Sequence, residues 1–317
     1  MLYCLRTFLR RRLVKHGFVI VNKSAGLTSH DCVGKLRRIF HQKRIGHSGT
    51  LDPNVTGVLP LALGQATKLI ELLVDSGKIY EGDICLGYST TTEDVWGEIV
   101  ERCPLVLGQI KDEKIDQALK SLTGEIEQIP PMYSAVKVKG KRLYEYARAG
   151  EEVERPRRHV VIEDFLRLSK SSYDAEKKCL TFSFRVSCSK GTYVRTLATQ
   201  VGELLGLPAH LSRLCRLKSG GFSLEESHSI ASIEENPEAY FIPLQVYIEK
   251  NFKSLDIPFE FQKLACNGAP LPNFAHISDS FPRAVYVEGK LIGLYTLSSE
   301  EEKTLRPFKM FDWRQMV

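Results

Sequence analysis

Residues Gly46–Pro53 read Gly-His-Ser-Gly-Thr-Leu-Asp-Pro, a polar loop that ends on a single carboxylate. Aspartate bonds its own backbone and proline fixes φ, so Asp-Pro after glycines is ordinary turn chemistry. The same stiffness would hold the Asp52 carboxylate in one place, as a nucleophile or general base requires. The loop lacks both the Lys-Ser/Thr ending of a phosphate-binding loop and the G-x-G-x-x-G spacing of a dinucleotide site. Arg195 is a second candidate. It falls in the first turn of a predicted helix, where the positive end of the dipole disfavours a cation by about 0.3–1 kcal/mol. It either points into solvent or pairs with a carboxylate, and an arginine beside a carboxylate favours the ionised form. Tyr80 is a third. Its place on a strand makes core packing the default, whereas a flat ring beside a polar site serves as a platform for a nucleobase. Residues 129–158 form the fourth candidate. Lys137, Lys139, Lys141, Arg142, Arg148, Arg155, Arg157 and Arg158 alternate there with Tyr133, Tyr144 and Tyr146. Charge on a loop solvates it, and charge mixed with aromatic rings also suits a phosphate backbone with exposed bases. These residues alone describe a soluble enzyme or an RNA-binding protein.

Periodicity indicates the elements that must position them. GFVIVNK from Gly17 is a predicted strand, and Cys32, Val33, Leu36, Ile39 and Phe40 recur at helical spacing. A second helix is predicted before Gly77, then a strand over 79–88 with Tyr80, Ile84, Leu86 and Tyr88 on one face. KIDQALKSLTG is predicted to be a helix with Asp112 as its cap and Gly124 as terminator, followed by a loop-like 129–158. Leu180, Phe182, Phe184 and Val186 share a strand face. Val194, Leu197, Ala198, Val201, Leu204 and Leu205 mark a helix ended by Gly206 and Pro208. Beyond about residue 240 the pattern turns to short strands, with a hairpin about Glu288-Gly289-Lys290.

With 317 residues, 43% hydrophobic and 26% charged, the chain has room for one large domain or two unequal ones and is not disordered. No apolar run approaches the roughly 18 residues of a membrane helix. The net charge of +6 suggests a polyanionic partner, but residues 1–15 carry five cations and no acid. Without them 39 basic residues face 38 acidic ones. That segment reads either as an organelle presequence or as an upstream extension with a misassigned start, and its charges interrupt any secretory signal. The eight cysteines include no C-x-x-C pair and no cluster with histidine, so small reduced core residues are expected and no metal site.

Taken in order, the motifs resemble the TruB family of tRNA pseudouridine synthases. The resemblance runs from about Gly17 to Phe222 and more weakly beyond. It is carried by Lys23–Asp31, the complete G-H-[ST]-G-x-L-D-P signature at Gly46–Pro53, Thr56–Leu59 with Gly64–Lys68, and Lys78–Tyr80. Pro130–Lys137, Gly140–Gly150, Ser189–Arg195 and Ala209–Arg216 complete the set. Departures are Ser24 for the family's proline, Thr90–Asp94 for T-D-T-x-D, and Cys215 for the first arginine of L-R-R.

The resemblance implies an α+β pseudouridine synthase fold, a mixed sheet flanked by helices with a small C-terminal PUA-like β domain. The expected divisions are a basic extension over 1–15, a catalytic domain over 16–242 with a basic RNA-binding insertion near 129–158, and a PUA-like domain over 243–317. That last segment holds nine basic and nine acidic residues, so it would add shape contacts more than charge. By resemblance Asp52 is the nucleophile, Arg195 its ion-pair partner and Tyr80 the aromatic packed on a flipped uracil. Tyr193 and Leu214 are pocket walls, Lys23 supports the loop, His47 contacts the RNA, and Asp94 and Arg216 belong to the substrate cleft. The activity implied is isomerisation of uridine 55 in the T loop of tRNA, without cofactor or metal, by a monomeric cytoplasmic enzyme that binds no membrane. An organelle location follows instead if residues 1–15 are a presequence. A tRNA-binding or RNA-folding protein with secondary catalysis, or a synthase acting on another RNA, stands as the alternative.

Overall fold

The computed structural model describes residues 14–298 and 304–315. The readings of residues 1–13, Cys4 included, lie outside the described residues. Lys15 already belongs to the folded body, where its backbone N–H donates to Gln42 Oε1 and its ammonium pairs with Glu238 at 2.6 Å.

The chain opens with β1 (Gly17–Lys23), buried on both faces. Val19 and Val21 join one core cluster while Phe18 and Ile20 join another, the period of two that a strand imposes. Then α1 (Ser29–Ile39) starts at Thr28, whose hydroxyl and the Asp31 carboxylate exchange hydrogen bonds with each other's backbone N–H. β2 (Ile45–His47), β3 (Thr56–Leu63), a 3-10 turn at Gly64–Leu69, α2 (Ile70–Asp75) and β4 (Lys78–Leu86) follow. The strand expected over 79–88 is shorter. Gly87, at φ +118°, turns the chain after Leu86, and Tyr88 begins β5 (Tyr88–Thr90), which pairs with β6 (Ile99–Arg102) in a separate ribbon.

Next is α3 (Asp112–Ser121). Asp112 is its first helical residue, and Lys111 occupies the capping position. The Asp112 carboxylate instead accepts from the Ser171 N–H and pairs with Arg167. After β7 (Gly124–Gln128), the segment expected to be loop-like contains a small hairpin, β8 (Lys137–Val138) with β9 (Lys141–Arg142), and α4 (Leu143–Ala149). One aromatic and one aliphatic residue supply the reason: Tyr146 Oη donates to the Val138 carbonyl and Leu143 is fully buried. Then come β10 (Arg158–Arg167), β11 (Ser172–Asp174), β12 (Cys179–Cys188), α5 (Val194–Leu205) and β13 (Ala209–Ser219). Leu180, Phe182, Phe184 and Val186 are buried together as their alternation requires, and Gly206 ends α5 in the left-handed conformation. Leu204 leaves the expected apolar stripe and is exposed.

These strands form one mixed sheet whose main path, with residues 242–243 on one edge, is β1-β3-β13-β4-β12-β10-β7. Only β3 and β13 run parallel, while the other neighbours are antiparallel. Helices α1, α3 and α5 bury their apolar stripes on one face. Residues 254–256, 271–272, 283–287, 290–297 and 304–310 build a second, five-stranded sheet, including the hairpin expected about Glu288-Gly289. A shared cluster of Phe18, Ile20, Val58, Ala62 and Leu69 with Ala284, Leu291, Leu294 and Phe311 joins the two lobes. Gln65 adds a two-way clamp, donating to the Asp312 carbonyl at 2.7 Å and accepting from its N–H at 2.6 Å. Lys68 donates to the Met310 carbonyl at 2.6 Å. The Gly64–Lys68 motif is thus a lobe-to-lobe fastener. No helix among the described residues is long and apolar enough to cross a membrane.

One glycine joins this architecture to the site. Gly57 lies in the left-handed half of backbone space at φ +106°, between Lys23 on β1 and Arg216 on β13. A Cβ there would sit 2.2 Å from the Arg216 carbonyl oxygen. Gly57→Ala is expected to lower unfolding free energy by at least ~1–3 kcal/mol. Urea denaturation checks this, and an unchanged midpoint would show that β3 and β13 are not in close backbone contact.

Candidate active site

The loop between β2 and β3 carries Asp52, and little of its shape comes from its own hydrogen bonds. Three neighbours hold it. Lys23, completely buried at the end of β1, donates to the carbonyls of Ser24 (3.0 Å), Leu27 (2.7 Å) and Pro53 (2.8 Å). Burial pushes its ammonium below the usual lysine range, and the nearby negative charge of Asp52 works in the opposite direction. Arg216, 1% exposed, donates from Nε to the Val58 carbonyl at 2.7 Å and from Nη2 to the Gly49 carbonyl at 3.3 Å. Ser29, in the first turn of α1, accepts from the Leu51 N–H at 2.9 Å and donates back to the Leu51 carbonyl. Leu51 is itself buried, so the residue before Asp52 is anchored through both backbone and side chain.

Asp52 meets Arg195 from the opposite side. Arg195 Nη2 lies 3.0 Å from Asp52 Oδ2, with the arginine side chain 8% exposed and the aspartate 44% exposed. Arg195 Nη1 donates to the Thr92 carbonyl at 3.0 Å, and Nη2 to the Tyr133 carbonyl at 2.9 Å. A cation in the first turn of α5 is therefore matched by oxygens from three separate segments, which offsets the unfavourable helix dipole. Tyr193 stands at the cap of α5. Gln128 orients it, accepting from the Tyr193 N–H at 2.9 Å and donating to its carbonyl at 3.3 Å.

Tyr80 is brought to the same place. On β4 it faces Arg216 of β13 across the ladder, and Leu214 faces Gly82 two residues on. Burial is the main influence on the Tyr80 phenol and raises its pKa; the Arg216 guanidinium lowers it, and Asp52 adds a smaller upward push. The ring is thus a protonated aromatic surface within the electrostatic reach of the Asp52 carboxylate.

The remaining candidates take other places. His47 Nδ1 accepts from the Gly49 N–H at 3.2 Å, and burial followed by Arg216 lowers the imidazole pKa. Asp94 turns its carboxylate onto its own loop, accepting from Thr92 Oγ1 at 2.5 Å and from the Trp96 N–H at 3.0 Å. It shapes the segment whose Thr92 carbonyl holds Arg195. Arg216 lies beneath the Asp52 loop, with its guanidinium spent on carbonyls, away from the loop's open face.

Residues 37–194 match the family described as "TruB family pseudouridylate synthase (N terminal domain)". A tRNA pseudouridine synthase B of Streptococcus pneumoniae serotype 2 is 54% identical over 235 residues, covering 73% of this chain and 80% of that protein. The protein of the same name from Bacillus anthracis is 46% identical over 300 residues, 93% of this chain and 96% of its own length. This chain belongs to the TruB family of pseudouridylate synthases. Among solved structures, a chain in the crystal structure of a Cbf5-Nop10-Gar1 complex is similar with a TM-score of 0.67 at 26% identity, over 95% of this chain and 86% of that one.

Within this TruB family member, the residues missed by inspection of motifs are those that work through the backbone or through a hydroxyl. Ser29, Gln128 and the Tyr133 carbonyl carry no chemistry of their own; Ser29 lies unremarked within the Lys23–Asp31 motif, and Tyr133 drew notice only for its ring. Glu93 is a further case. Its side chain accepts from Thr196 Oγ1 at 3.0 Å, beside Arg195, and its backbone has φ +61°. Burial holds the Glu93 carboxyl above its ordinary value of 4.5, outweighing the opposite effects of Thr196 and Arg195. A carboxyl raised on folding is stabilising in its protonated form, so its contribution is fullest below its ordinary value and is lost as pH rises through the folded value. Glu93→Gln is therefore expected to become more stable relative to wild type as pH rises from about 4 to about 8. Thermal midpoints at the two ends check it; a difference independent of pH would show that burial does not govern Glu93.

Proposed function

We propose that this enzyme converts uridine 55 in the T loop of tRNA to pseudouridine, with Asp52 as nucleophile, acting as a cytoplasmic monomer. The single observation that carries the reading is the 3.0 Å pair between a half-open Asp52 and a buried Arg195 on an anchored loop, in a chain whose relatives bear the name tRNA pseudouridine synthase B. The reaction breaks the N1–C1′ bond, turns the uracil and forms a C5–C1′ bond, while the C5 proton is lost and N1 regains one. Atoms and electrons balance within the substrate and solvent, so the isomerisation needs no redox partner.

A base inside folded RNA must leave its stack to react, at a cost of a few kcal/mol. Tyr80 offers the face on which the extruded uracil is held, and Leu214 and Tyr193 complete the walls. With its pKa raised by burial, the Tyr80 phenol keeps its proton near neutral pH and acts as a surface and hydrogen-bond donor. Attack by Asp52 on the pyrimidine ring or on ribose C1′ has the same requirement: one carboxylate oxygen on Arg195 and the other turned toward the substrate. Arg195, fixed by two carbonyls, need not reorganise as charge moves. The T stem meets the basic insertion over 129–158, and the PUA-like lobe holds the RNA farther from the reacting base.

Tritium release from 5-³H-uridine tRNA transcripts tests the assignment. Asp52→Asn is expected to release none while still binding tRNA, and Arg195→Ala to slow turnover by on the order of 10²–10³ with affinity little changed. Tight tRNA binding by a wild type that releases no tritium would favour an RNA-folding role, and an Arg195→Ala loss confined to affinity would remove Arg195 from the chemistry. For the insertion, exposed Lys137 and Lys139 are the cations to neutralise, because Arg157 is paired with Glu127 and Lys141 with Glu151. Replacing both with alanine is expected to lower the slope of log K against log salt by roughly 0.7–0.9 for each phosphate no longer neutralised. An unchanged slope would place the RNA elsewhere.

A further inference from the structure

A cleft of about 610 Å³ opens between the residues that end the helix over 244–251 and the strand over 283–287. None of the Asp52 machinery lines it. Its contents are those that a nucleotide requires. Phe252 and Phe281 stack there with ring centroids 5.8 Å apart and planes at 25°. They end a row of aromatic rings that begins in the core at Phe18 and Phe222 and passes through Tyr247. Phe281, the outermost ring, is 53% exposed, so a large apolar face stands in the open at the mouth of the cleft. Lys253 is exposed on its rim, as is Lys250, whose ammonium is paired with Glu226 at 3.9 Å. Inside, the Tyr286 hydroxyl is buried and has no hydrogen-bond partner among the described residues.

Each feature has a cost when the cleft is empty. An unpaired buried hydroxyl forfeits its hydrogen bonds to water, and an open phenylalanine face is unfavourable in solvent. A nucleotide removes both costs: its base stacks on Phe281, an acceptor on base or ribose takes the Tyr286 proton, and its phosphate lies against Lys253. Glu249 also lines the cleft. Its carboxylate suits a base amino group or a ribose hydroxyl and opposes a ligand rich in negative charge, so one phosphate per nucleoside fits better than a di- or triphosphate.

We propose that this cleft binds an unpaired nucleotide of the RNA substrate, outside the loop that enters the active site. The proposal rests on the reading of the substrate as a folded tRNA, and its test measures binding separately from isomerisation. Affinities of the full chain are compared for a whole tRNA transcript, for the isolated T stem-loop hairpin and for AMP as a free-nucleotide probe. Phe281→Ala and Lys253→Ala are expected to weaken whole tRNA about tenfold each while leaving hairpin affinity and tritium release from the hairpin unchanged. Phe281→Trp, which keeps a stacking face, is expected to retain wild-type affinity, guarding against a folding defect in the alanine variant. Equal affinity of wild type and Phe281→Ala for whole tRNA would overturn the proposal. So would an equal loss on the hairpin, or AMP binding that is lost in Phe281→Ala with no change for tRNA, which would mark a free-nucleotide site. Failure of the functional reading would appear instead as a wild type without tritium release on either RNA.

Discussion

Two cations buried almost without exposure, Lys23 and Arg216, set the shape of the loop that carries Asp52. A buried charge is tolerated only when its donors meet oxygens, and here the oxygens are carbonyls of Ser24, Leu27, Gly49, Pro53 and Val58. The dependence runs both ways, since those carbonyls would otherwise face an interior with few other donors. This explains how a turn with few hydrogen bonds of its own can hold the Asp52 carboxylate in place. It also explains the glycine at position 57, because the backbone of Arg216 passes so close to β3 that a side chain there has no room.

Arg195 does for the mouth of the site what the other two do for its floor. Its acceptors come from the 90–98 turn, from the start of the basic insertion and from Asp52. Three segments far apart in sequence therefore converge on one guanidinium. The Tyr133 carbonyl, at the start of the insertion, shares Nη2 with the Asp52 carboxylate. In this arrangement the position of the insertion and the alignment of the carboxylate meet at one buried guanidinium, while the aspartate itself stays half-open.

Much of this was legible in the residues. The apolar run of β1, the strand alternation in β12, the stripes of α1 and α5, and the Asp52, Arg195 and Tyr80 candidates all follow from local pattern or from motif order. What local pattern could not supply is the pairing of β4 with β13, which puts Tyr80 beside Arg216, because register is a long-range property. Gly87 ended a strand whose alternation reads smoothly through to Tyr88. Asp112 looked like a cap because carboxylates usually sit there, but Ser171 and Arg167 offered it stronger partners. The loop-like reading of 129–158 failed for a related reason. Its composition is polar, yet Leu143 and Tyr146 fold it back on itself.

Net charge was the weakest of the sequence indicators, and the structure shows how the cations of the insertion are arranged. Lys141 lies 4.6 Å from the Tyr146 ring centre, and Arg142 and Arg148 lie 5.8 and 5.4 Å from that of Tyr144. Cation–π contacts of this kind hold side chains that would otherwise be mobile. Glu127 and Glu151 meanwhile neutralise Arg157 and Lys141. The cations outside these two pairs are presented on a folded frame, beside aromatic rings. A body with nearly equal acids and bases can therefore bind a polyanion, because a phosphate responds to the potential within a Debye length of about 8 Å rather than to the sum over the chain.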